Sequence, residues 1–129
     1  MENTLYLPIK QIYFDPIVSG QKKEEYREIK STTQFRYLLS KDKVLLYDMT
    51  LITCPSFQGQ CDDYNNGVYP FLPIRYEYLN LAVGYAKVRD TMLIRVSDIT
   101  FEPHTVLGNK YAFWVIVYHL GEIVELFRK

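Results

Sequence analysis

The last third of the chain most constrains the fold. Three runs, "EYLNLAVGY", "TMLIRVSDITF" and "KYAFWVIVYHL", are dense in β-branched, aromatic and aliphatic residues, the side chains that suit a pleated, half-buried surface. In the second run Met92, Ile94 and Val96 share one face, and Leu93, Arg95 and Ser97 the other. Three consecutive strands with so little Gly or Pro demand a sheet, and the rest of the chain must cover it.

The N-terminal part supplies the cover. In "TLYLPIK" the apolar Leu5, Leu7 and Ile9 alternate with other residues, the period of a half-buried strand, and Pro8 confines that strand to an edge or its end. Ile9, Ile12, Tyr13, Pro16 and Ile17 then recur at helical spacing, and the segment stops at "SG", where a helix favours Gly just past its end. "EEYREI" reads as a strand. "TTQFRYLLSK" reads as a second helix capped by Ser31 or Thr32, with Phe35, Leu38 and Leu39 inward. "KVLLYDMTLIT" reads as a long strand, and residues 54–73, rich in Gly, Pro, Asp and Asn, as an irregular insert. The pattern predicts an α+β domain, a small curved sheet or partly open barrel with two short helices near the N-terminus.

At 129 residues the chain has the size of one domain. Fifteen basic and fifteen acidic side chains cancel, so no global positive field draws it to a nucleic-acid backbone, and any such contact must be local. Basic residues gather early: residues 1–43 carry eight Lys or Arg against six acids, residues 44–83 one against four. No stretch approaches the roughly 20 apolar residues that span a bilayer, and there is no signal-peptide pattern. A cytoplasmic protein with free thiols is the expectation. Cys54 and Cys61, with six residues between them and no second close pair or nearby His, make a poor zinc set. No metal or cofactor is expected, for P-loop, dinucleotide-binding, zinc-helix and serine-elbow patterns are all missing.

The most chemically loaded stretch is "SGQKKEEYREI", residues 19–29. On a strand, Glu25 and Arg27 share one face, and Glu24, Tyr26 and Glu28 the other. Lys22, in the turn after the helix, has the reach to approach Glu25. Alternating Lys, Glu and Arg offer a polar ligand both donors and an acceptor, and Arg27, with its planar fork, is the natural anchor for a phosphate or base edge. A solvated strand face with a structural ion pair is the plainer alternative.

Gly20, Lys22, Glu25 and Arg27 reproduce the G-x-K-x-x-E-x-R signature of the ASCH domain family, relatives of the PUA-like RNA-binding folds. The chain resembles small bacterial and phage members also in "IYFDPIVSG", in "GY" at Gly84 and Tyr85, and in "FWVIVYHLGEIVE". The likeness spans most of residues 1–129 outside the insert. It implies a single small PUA-like β-barrel of about five or six strands with two short helices, a cleft lined by Lys22, Glu25, Arg27 and Tyr85, and a ligand that is RNA or a nucleotide or modified nucleoside, with a regulatory role in transcription or translation.

Two enzymatic branches of the family suggest an alternative, a small hydrolase with Lys22 and Glu25 as the catalytic candidates. In the branch that deacetylates acetylcytidine a Thr nucleophile stands at the place of Glu25, and a carboxylate cannot take over that acyl transfer. The ribonuclease branch uses Lys, Tyr, Arg and Ser, types that Lys22, Tyr85, Arg27 and Ser97 supply. His104, after Pro103, is a further general-base candidate, whereas His119 reads as a strand-end residue and Trp114 as core. A docking role for "YNNGVYPFLP" is the third reading.

Overall fold

In a computed structural model of the chain, residues 3–29, 33, 36–40, 65–67, 71–106 and 111–129 are described, with backbone alone at 40, 71, 103–106 and 111–114. Strand β1 (Thr4–Ile9) leads into helix α1 (Gln11–Ser19) and then β2 (Glu24–Glu28). After these come β3 (Leu38–Ser40), β4 (Phe71–Pro73), β5 (Tyr78–Val83), β6 (Thr91–Val106) and β7 (Tyr111–Phe127). Five strands form a mixed sheet in the order β1-β5-β6-β7-β2, and β3 pairs with β4 separately. Among the described residues the sheet is not closed into a barrel, unlike the barrel that the resemblance implies: β1 and β2 stand at its two edges.

The alternation in β1 has its physical counterpart. Leu5, Leu7 and Ile9 are buried and Tyr6, Pro8 and Lys10 exposed, and Pro8, which cannot donate to a ladder, sits on an edge strand. β1 runs parallel to β5, Thr4 opposite Tyr78 and Ile9 opposite Val83, and β5 runs antiparallel to β6, Leu79 opposite Ile94. Leu79, Leu81, Met92 and Ile94 are consequently all buried.

Helix α1 begins without a side-chain cap, and the N–H groups of Tyr13 and Phe14 both reach the Lys10 carbonyl. Pro16 lies inside the helix, at the cost of one backbone donor. The face turned inward is carried by Phe14 and Ile17, whereas Ile12 and Tyr13 are exposed, a correction to the stripe expected from their spacing. Gly20 ends the helix at φ 83°, in the left-handed region, and donates to the Ile17 carbonyl. The Lys22 N–H then bonds back to the Pro16 carbonyl at 3.0 Å, so the last turn delivers Lys22 to a fixed place.

The expected second helix is absent among the described residues. Leu38, Leu39 and Ser40 are strand, paired with Pro73, Leu72 and Phe71, and the Ile74 N–H bonds the Tyr37 carbonyl. A long-range strand partner has overridden the local three- and four-residue spacing. β4 also places the end of the 54–73 insert in regular structure. Most of that insert, with Cys54 and Cys61, lies outside the described residues, as do the predicted strand at 43–53, Ser31 and Thr32, and the side chains of His104 and Trp114.

Contacts divide the chain into two compact units: Met1–Glu25 with Arg75–Asp98 and Tyr118–Lys129, and Tyr26–Ile74 with Ile99–Val117. The first has its core in Leu5, Leu7, Phe14, Ile17, Leu79, Leu81, Met92 and Ile94, with Tyr118 edge-on to Tyr76 at 6.5 Å. The second buries Ile29, Tyr37, Leu38, Ile99, Phe101, Val115, Ile116 and Val117. Within it, the Asn65 side-chain amide brackets the backbone of Phe101, donating to its carbonyl and accepting from its N–H. No described helix is long and apolar enough to cross a membrane.

Candidate functional site

Among the described residues Glu25 and Asp90 are the buried charged side chains. Burying a carboxylate is costly unless a cation or several donors meet it. Glu25 is met by Lys22, whose ammonium lies 3.5 Å from Oε1. The same ammonium donates to the Glu24 carbonyl and stands 5.8 Å from the centre of the Tyr13 ring. Lys22 is therefore fixed between the end of α1 and the start of β2.

Beside it opens a groove of about 410 Å³. Its aliphatic wall is Ile17 and Val18 from α1, Ile94 from β6, and Leu120 and Ile123 from β7. Gly20 and Gly121 leave backbone open at the rim, and Ser19, Lys22 and Lys23 supply the polar groups. The Leu120 N–H donates to the Lys23 carbonyl at 2.8 Å, which pins the start of β2 against β7. Two cations at a cleft whose open surface is as much polar as apolar make a place for an anionic or strongly polar small ligand.

Across the same strand contact the His119 ring N–H, at Nδ1, donates to Glu24 Oε2 at 3.0 Å. His119 is not among the groove-lining residues although its neighbour Leu120 is, as expected where successive strand side chains point to opposite faces. Ser97 Oγ donates to the His119 carbonyl at 3.0 Å. These contacts knit β2, β6 and β7 together.

Lys22 and Glu25 are thus brought together. Arg27 follows two residues after Glu25 on β2, partly buried, in the second unit. Tyr85 sits in the turn after β5 and is 86% exposed, and it does not line the groove. Lys23, the aliphatic wall and the Glu24–His119 pair had no place in the sequence expectation. Lys23 is an unspecified position of the signature, and Ile94, Leu120 and Ile123 of the wall come from some seventy to a hundred positions further on.

A second polar cluster lies elsewhere in the first unit. Asp90 Oδ1 accepts from the Lys129 N–H at 2.9 Å, and Oδ2 from the Gln11 amide at 3.1 Å. Arg128 bridges Asp15 at 3.2 Å and approaches Asp90 at 3.7 Å, its guanidinium 5.6 Å from the Phe14 ring centre. The Lys129 backbone hydrogen bond above all, then the Gln11 amide and the nearby Arg128, hold the Asp90 carboxyl below its ordinary range.

Among the described residues no group of three or more His, Cys, Asp or Glu is arranged to hold a metal ion. No family model, curated protein or solved structure matches the chain.

Proposed function

We propose that this chain binds RNA, or a nucleotide or modified nucleoside derived from it, at the Lys22–Glu25 pair, as a small ASCH-like module on a PUA-like sheet. The observation that carries this reading is the ammonium of Lys22 held 3.5 Å from the buried Glu25 at the lip of an open groove. An ammonium backed by a carboxylate at that lip suits a polar or anionic ligand. Arg27, on the Glu25 face of β2 by strand alternation, adds a planar cation suited to phosphate, and the exposed Tyr85 ring offers a stacking surface of the kind single-stranded RNA uses. The proposed setting is cytoplasmic, with a regulatory role in transcription or translation.

Titration of a short labelled single-stranded RNA tests the proposal. The wild-type chain should bind in a salt-sensitive manner, and replacing Lys22 and Arg27 together by Ala should abolish binding. Undiminished affinity in the double variant would sink the reading. Incubation with acetylcytidine or labelled RNA followed by chromatography separates binding from hydrolysis: intact substrate is the expected result, and turnover would transfer the site to the hydrolase alternative.

A further inference from the structure

We infer that the groove holds a single phosphorylated nucleotide unit, that Lys23 is its phosphate contact, and that the groove does not discriminate among bases. The inference rests on the nucleotide-binding reading above and assigns the ligand class and the anchoring residue within it. Three observations lead there.

The first is the division of labour between adjacent lysines. The Lys22 ammonium is already engaged by Glu25, the Glu24 carbonyl and the Tyr13 ring, and a phosphate placed against it would also face the Glu25 carboxylate. Lys23 lines the same groove with an exposed side chain, and its backbone is anchored by the Leu120 N–H. A cation on a pinned backbone at the mouth of a cleft meets an anion without giving up an internal partner. Lys22 then ties the end of α1 to the start of β2, and Lys23 attracts the charge.

The second observation is size. A groove of about 410 Å³ falls at the lower end of small-molecule sites, which run from roughly 300 to 1,000 Å³, so it suits one nucleotide unit rather than a run of them. The third is chemistry. The described lining has no Asn, Gln, Asp, Glu, His or aromatic side chain, and its one hydroxyl, Ser19 Oγ, donates to the Pro16 carbonyl. The half-buried Val18, Leu120 and Ile123 can press on the flat face of any base, and their side chains cannot read its edge. Sites that hydrogen-bond a ligand edge reject the wrong partner by factors of about 10⁴ or more, whereas apolar pockets discriminate by roughly 10² at most.

Calorimetric titration of the full chain with the four 5′-mononucleotides and the four corresponding nucleosides is the test. The four mononucleotides should bind within about threefold of one another, and each should bind about tenfold more tightly than its nucleoside, one charge-assisted contact being the difference. Lys23→Ala should remove that advantage while leaving the nucleosides unaffected, and Lys23→Arg should restore it. Circular dichroism confirms folding of both variants, since the side chain is exposed. A preference of more than about tenfold for one base, nucleosides binding as well as nucleotides, or an unchanged Lys23→Ala variant would overturn the inference while RNA binding by the wild type left the broader reading standing. Absence of binding to every nucleotide and to RNA would overturn both.

Discussion

Glu25 and Asp90 are buried carboxylates in the same unit, and they are partnered in opposite ways. Asp90 is enclosed by donors from three directions: a backbone N–H at Lys129, an amide on α1, and the Arg128 guanidinium stacked near Phe14. Glu25 faces the Lys22 ammonium, which itself borders an open groove. The first arrangement closes on itself and serves the fold. The second leaves room beside the charge pair, and that room is what a ligand can use.

The comparison breaks most visibly at Phe14, fully buried beneath Arg128. Phe14→Ala should cost about 3–5 kcal/mol, as truncation of a packed aromatic does, and chemical denaturation should show much or all of the cooperative transition lost. A cost under about 1 kcal/mol would mean that α1 is not anchored through this ring. Next comes Gly20, whose φ of 83° is unfavourable for a side chain although nothing lies within 4 Å of an added Cβ. Gly20→Ala should cost about 1–2 kcal/mol from backbone strain alone and should weaken ligand binding more than it lowers stability, because it displaces Lys22.

Acid separates the two carboxylates. The folded Asp90 carboxyl titrates below its unfolded value, so its stabilisation is complete above the unfolded pKa of about 3.9 and disappears as pH falls through the lower folded value. Asp90→Asn should therefore lower the thermal midpoint at pH 7 and flatten its decline below about pH 4. An unchanged acid limb would show that the clasp contributes nothing. The smallest effect belongs to the exposed pair of Arg95 and Glu122, 3.1 Å apart. Surface ion pairs contribute little, and Glu122→Gln should shift neither midpoint nor binding measurably.

What the sequence disclosed follows the range of the interactions concerned. β1, the stop at Gly20 and the C-terminal strands are written in local periodicity and were legible. Leu38 and Leu39 carry a helical spacing yet pair with Pro73 and Leu72, a non-local contact that no window around residue 38 contains. Asp90, in "KVRDT", has the composition of a surface turn, and only the approach of Gln11 and Arg128 buries it. At the candidate site, the proximity of Lys22 and Glu25 follows from a helix stop and three residues of chain. The groove wall does not, because Ile94, Leu120 and Ile123 arrive through the sheet. Ile12 and Tyr13 misled because a three- and four-residue spacing fits more than one helix face, and Phe14 was the residue that the core selected.

The most direct test of the site is a crystal structure of the chain with a 5′-mononucleotide at saturating concentration. A phosphate should lie within hydrogen-bonding reach of the Lys23 ammonium, with the rest of the ligand against Val18, Leu120 and Ile123 and the Lys22–Glu25 pair intact. A nucleotide bound on another surface, with this groove empty, would contradict that arrangement.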